Sequence, residues 1–132
     1  MEVEVRTSRK FFVIASLFGL TGVAFGAFGA HALKSTISSE MLSIFETGVR
    51  YQMYNAFGLF VVSWSLQARE SRTFEIAGWL FIAGVILFSG SLYILAVSGI
   101  RTFGMVTPLG GLSLLAGWLL LVLGFSGKKS DL

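Results

Sequence analysis

The sequence predicts an all-α integral membrane protein, a four-helix bundle with both termini in the cytoplasm. Three observations predict it. Of 132 residues, 55% are hydrophobic and 13% are charged, against about 25% charged in a soluble domain. Three apolar runs each reach the roughly 20 residues that a helix needs to cross the hydrocarbon core. A fourth run is shorter and follows the most polar stretch of the chain, "ETGVRYQMYNAFGLF". At this length the chain is one membrane domain, 1–132.

The first span covers 11–33 and carries no charge before His31. Its basic start and the "AHA" at 30–32 imitate a secretory signal. The apolar stretch exceeds the 7–15 residues of a signal peptide, so it is retained as a transmembrane helix. Ala15, Gly19, Gly22, Gly26 and Gly29 are spaced by four, three, four and three, which places them on one helix face for close backbone approach.

The second span is set at 46–68. Its clean apolar run, 56–66, has 11 residues and covers only about 16 Å at 1.5 Å per residue. To cross, the helix must take in the polar turns that precede it. Glu46 and Arg50 stand four apart with the acid first, the order that favours an intrahelical pair. Pairing lowers the cost of charge near a membrane, about 2.5–3.5 kcal/mol for a lone charge at mid-bilayer. Helical projection puts Tyr51, Tyr54 and Asn55 with this pair on one face, and Leu42, Val49, Met53 and Phe60 on the other, lipid-facing side.

The third span, 76–97, has Ala77, Gly84 and Ser91 at intervals of seven. The fourth, 106–125, has Gly110, Gly117 and Gly124 at the same interval, with Ser113 on that stripe. Seven-residue spacing keeps one seam facing a neighbour. Pro108 suits a first helical turn, with Thr107 as the expected N-cap. The expected packing residues are therefore Gly19, Gly22, Gly26, Gly29, Gly84, Ser91, Gly110, Gly117 and Gly124. Internal duplication of the transporter kind is not evident.

Charge sets the orientation. Arg6, Arg9, Lys10, Arg69, Arg72, Lys128 and Lys129 fall on one side, and Lys34, Arg50 and Arg101 on the other. The positive-inside rule places the richer side, with both termini, in the cytoplasm. Trp64, Trp79 and Trp118 are expected as interfacial anchors, although Trp118 falls well inside its span.

Composition also excludes functions. The absence of cysteine removes disulfides and thiolate metal sites. The Lys and Arg residues do not cluster with aromatics, so no nucleic-acid partner is assigned. No nucleophile–base pair, phosphate loop or metal-ligand spacing occurs, so no catalytic residue, metal or cofactor is assigned and the chain is not read as an enzyme. The partners are the lipid bilayer and a second copy or another membrane protein.

One candidate site remains. Polar and ionisable groups near a membrane mark a site by default, and here they are His31, Glu46, Arg50, Tyr51, Gln52, Tyr54 and Asn55. His31 ends span one on the same side as Glu46 and Arg50, but a break at Gly29-Ala30 is needed to swing it inward.

Four segments, "FGAFGAHALK", "ETGVRYQMYNAFGL", "FSGSLYILAVSGIR" and "TPLGGLSLLAGW", together resemble the YgdD-like family of small inner-membrane proteins. The resemblance implies four transmembrane helices in the bacterial inner membrane and no established activity. The family motif reads Tyr-Gln-x-Tyr-His-Ala, and Asn55 stands at its histidine. Asparagine keeps the hydrogen bonding there but not proton exchange. His31 matches the family's Gly-Ala-His.

The leading functional reading is an accessory, scaffolding or self-associating helical bundle. The alternative is a binding or transport module in which the polar cluster holds a lipid headgroup, a quinone-like molecule or a small solute.

Overall fold

A computed structural model of the chain describes residues 2–127. Within them the fold is all helical: α1 (Glu2–Ala24), a π-helical turn (Phe25–Gly29), α2 (Ala30–Leu33), α3 (Ser39–Ala68), α4 (Arg72–Ser98), a 3-10 turn (Arg101–Met105) and α5 (Thr107–Ser126). α1, the π turn and α2 run on as one rod, so the molecule has four long helices. Lys128 and Lys129 of the charge balance lie outside the described residues.

The helix ends follow local chemistry. Ser38 caps α3 by accepting from the Met41 amide at 3.2 Å, so the helix starts seven residues ahead of Glu46. Ser71 caps α4 in the same way from Phe74, at 3.3 Å. α4 stops at Gly99, whose φ of 70° is left-handed and costs glycine nothing. Thr107 is not the N-cap of α5: Val106 occupies that position without a side-chain cap. The Thr107 hydroxyl is instead 2.7 Å from the Ser91 hydroxyl of α4.

Short connections make neighbouring helices antiparallel. Ser8 meets Ser63, Gly48 meets Tyr93, and Phe74 meets Gly124. Both ends of the described chain thus lie at one end of the molecule. The order in space is the order in sequence: α1 on α3, α3 on α4, α4 on α5. No Cα of α1 comes within 8 Å of α5, so the bundle is an open row rather than a closed ring. Val5–Leu33, Arg72–Ser98 and Arg101–Ser126 are long and apolar enough to cross a membrane. α3 is 30 residues long, about 45 Å, but its polar first half keeps it out of that group.

Aromatic rings seated on glycines key the row together. An added Cβ would strike the Phe11 ring at Gly78, the Phe81 ring at Gly58, the Tyr93 ring at Gly48 and the Phe74 ring at Gly124. Phe11, Phe74 and Phe81 are fully buried. At the other glycines of the expected seam, Gly22 faces Met53, Gly26 faces Val49, Gly29 faces Phe45, Gly84 faces Leu114, Gly110 faces the Phe88 backbone and Gly117 faces Phe81. Gly19 is the exception, with nothing within 4 Å of the place its Cβ would take. Helix packing in lipid rests on such close approach, because burial away from lipid gains little.

Serines supply the polar links. The Ser8 hydroxyl donates to the Ser63 carbonyl at 2.9 Å, and the Ser63 hydroxyl returns the bond to the Ser8 carbonyl at 2.6 Å. Ser89 donates to the Gly48 carbonyl at 2.7 Å and Ser113 to the Leu80 carbonyl at 2.8 Å. At the chain-terminal end, Arg69 donates to the Gly124 carbonyl at 2.5 Å and lies 5.0 Å from the centre of the Phe74 ring.

Candidate functional site

The six residues of the polar stretch and His31 do not form one cluster. Helix α3 sends them in three directions, as 100° per residue requires.

Glu46 and Arg50 point outward and are exposed. They do not pair with each other; among the described residues Arg72 pairs with Glu75 and Arg101 with Glu40. His31 is also exposed, in the last turn of α2. The π turn at Phe25–Gly29 shifts the helix register just before it but does not bring it inward. His31 makes no hydrogen bond to Arg50, Tyr54 or Asn55 among the described residues.

Gln52 points into the row and is 4% exposed. Its amide nitrogen donates to the Phe18 carbonyl at 2.8 Å and to the Thr21 hydroxyl at 2.7 Å. Its amide oxygen accepts from the Tyr93 hydroxyl at 2.7 Å. One side chain therefore ties α1, α3 and α4. The expected lipid-facing side of α3 is mostly a protein interface: Val49 and Met53 lie against Gly26 and Gly22 of the first rod.

Tyr51, Tyr54 and Asn55 do come together. With Phe88 of α4 and Leu115 and Trp118 of α5 they line a cleft of ≈ 280 Å³ between α3 and α5. Asn55 is buried at 2% exposure. Its amide nitrogen donates to the Tyr51 carbonyl at 2.7 Å, and its amide oxygen accepts from the Trp118 indole at 2.9 Å. Trp118 is thus a wall of the cleft, with its ring edge-on to Phe81 at 5.2 Å, and not an interfacial anchor. Tyr51 lies 4.9 Å from the Phe88 ring and 5.7 Å from Tyr54. The hydroxyls of Tyr51 and Tyr54 have no hydrogen-bond partner among the described residues.

Depth matters to what this cleft can do. Phe88 is ten residues before the end of α4, about 15 Å along the axis. Trp118 sits in the middle of α5. The cleft therefore opens sideways from the waist of the bundle rather than from its rim. Its walls are neutral, aromatic and aliphatic, with two unengaged hydroxyl donors. Such a site suits a flat, uncharged, lipid-soluble group with an acceptor oxygen. No group of three His, Cys, Asp or Glu able to hold a metal occurs among the described residues.

Sequence reasoning found the α3 half of this site and missed the α5 half. Trp118 offered a signal, an indole too deep in its span to reach headgroups. The Gln52–Tyr93 link had no such signal.

Comparison with known proteins gives one consistent result. Residues 25–111 match the family model described as "Protein of unknown function (DUF423)". The chain is 43% identical to a UPF0382 membrane protein of Staphylococcus haemolyticus, over 87% of this chain and 93% of that protein. It is 43% identical to the UPF0382 membrane protein YwdK of Bacillus subtilis, over 86% and 94%. It is 40% identical to the UPF0382 inner membrane protein YgdD of Escherichia coli, over 89% and 90%. No solved structure matches.

Proposed function

Because the chain belongs to this DUF423 family of membrane proteins of unknown function, we propose an activity from its own geometry: a multi-pass binding module for a neutral, lipid-soluble ring compound. The observation that carries it is the lateral cleft lined by the Asn55–Trp118 pair and by Tyr51 and Tyr54, whose hydroxyls have no partner among the described residues. In this reading α3 crosses the bilayer with the other three helices, in the inner membrane as the name of the Escherichia coli relative states. A hydroxyl facing hydrocarbon without a partner is costly, and an acceptor oxygen on a ligand relieves that cost. A volume of ≈ 280 Å³ takes one substituted ring and leaves a tail in the lipid. Quinones are the chemical class that fits. The lining contains no charge, which disfavours a phosphate headgroup at this place.

Trp118 reports on occupancy. With Trp64 and Trp79 replaced by phenylalanine, the remaining indole in reconstituted protein should be quenched saturably by decyl-ubiquinone. Gly111→Phe should abolish the saturable part; a Cβ at Gly111 meets only ordinary contacts with Phe88, at 3.7 and 3.8 Å, so the ring fills the cleft without a backbone clash. Quenching that rises linearly with probe, equally in both proteins, overturns the reading.

Self-association is the second reading. Its first support, the stripes of small residues, is largely consumed by contacts within the chain. What favours it now is the open row, in which α1 and α5 are each packed chiefly on one neighbour. Mass measurement in mild detergent tests it, and a strict monomer rules it out.

A further inference from the structure

A second groove lies at the chain-terminal end of α1, lined by Arg6, Arg9, Lys10, Val13 and Ile14, with a volume of ≈ 410 Å³. These positions recur at three and four residues, so they form one helix face. Along it the chemistry changes from cationic to apolar over eight residues, about 12 Å of axis. The three cations are exposed. None has a hydrogen bond or ion pair among the described residues, and Glu2, one turn earlier, pairs with none of them.

The groove's place in the fold explains why it is open. Phe11, between these residues, stacks edge-on against Trp79 of α4 at 5.3 Å, and Ile14 packs against the buried core. The groove is built from α1 alone, whereas the aromatic cleft lies between α3 and α5. α5 does not approach α1 to cover the near face.

We propose that this groove is a site for one anionic phospholipid, with the phosphate held by Arg6, Arg9 and Lys10 and an acyl chain lying along Val13 and Ile14. Three cations with no ion pair among the described residues, above an apolar floor, complement an anion that carries a hydrocarbon tail. A soluble phosphate uses the upper half only, and a neutral lipid the lower half only. Diffuse attraction to an anionic surface, about 1 kcal/mol per basic residue, needs neither the apolar floor nor a fixed stoichiometry, so the two cases are separable.

The test is native mass spectrometry of the full chain, released from neutral detergent with phosphatidylglycerol or phosphatidylcholine. One phosphatidylglycerol should be retained at a concentration at which phosphatidylcholine is not. The triple variant Arg6→Gln, Arg9→Gln, Lys10→Gln should weaken retention at least tenfold, and Val13→Ser about threefold, with helicity unchanged by circular dichroism. Arg101→Gln, at the other end of the molecule, should leave it unchanged. Glycerol 3-phosphate at millimolar concentration should not displace the lipid. Equal retention of the two lipids, a triple variant that binds as well as the parent, or complete displacement by glycerol 3-phosphate each overturns the proposal. The last result would assign the site to a free phosphate.

Discussion

The Trp118 indole donates to the buried Asn55 side chain at 2.9 Å, joining the middle of α5 to the middle of α3. Neither helix relies on broad contact with the other; α5 is packed mainly on α4, and α3 on both α1 and α4. The pair holds the two walls of the aromatic cleft at a fixed distance above that floor.

Removing the acceptor should therefore loosen the cleft. Asn55→Leu leaves the indole N–H unpaired and should cost about 0.6 kcal/mol and at most about 1.7, the mean and the maximum for such bonds in membrane bundles. Asn55→His restores the residue of the YgdD-like motif and an acceptor nitrogen, so it should cost less. Thermal unfolding in detergent, followed by circular dichroism, ranks the three proteins. Asn55→His less stable than Asn55→Leu would contradict the assignment.

The glycines separate into seated and free. Gly78→Ala drives a methyl into the Phe11 ring and should destabilise by about 1–3 kcal/mol. Gly19→Ala and Gly90→Ala meet nothing within 4 Å and should be neutral, or stabilising by up to about 1 kcal/mol from helix propensity. The same unfolding measurement decides this. Equal effects at all three positions would mean that rings on glycines do not set the helix spacing.

Gln52 and Tyr93 should behave as a coupled unit. Gln52→Leu and Tyr93→Phe each remove one end of a 2.7 Å bond, and the double variant should be less destabilised than the sum of the two. A coupling of about 0.5–1.5 kcal/mol is expected for residues in one network. A double-mutant cycle that closes at zero would exclude the bond as a stabilising element.

Much of this was legible in the sequence. The long helices could be read because apolar runs and positional charge are local signals. The small-residue stripes also announced the faces that meet. The side chains of the polar stretch could not be sorted, because Gln52 and Asn55 are three residues apart yet serve different neighbours, α1 and α4 for one and α5 for the other. Which neighbour stands where is a property of the row and not of the helix. The Glu46–Arg50 pair was expected from spacing alone, and spacing does not oblige two exposed side chains to meet. Gly19 belongs to the stripe by period, but nothing faces it.

The central claim is that α3 spans the bilayer despite its polar first half, and single-cysteine labelling tests it most directly because the chain has no cysteine of its own. Ser35→Cys, Ala68→Cys and Ile100→Cys would mark the connections between the helices. In right-side-out vesicles, an impermeant maleimide should label positions 35 and 100 from outside, and position 68 only after the membrane is opened. Labelling of positions 35 and 68 from the same side would leave α3 on the surface, with three crossings, and would contradict the account.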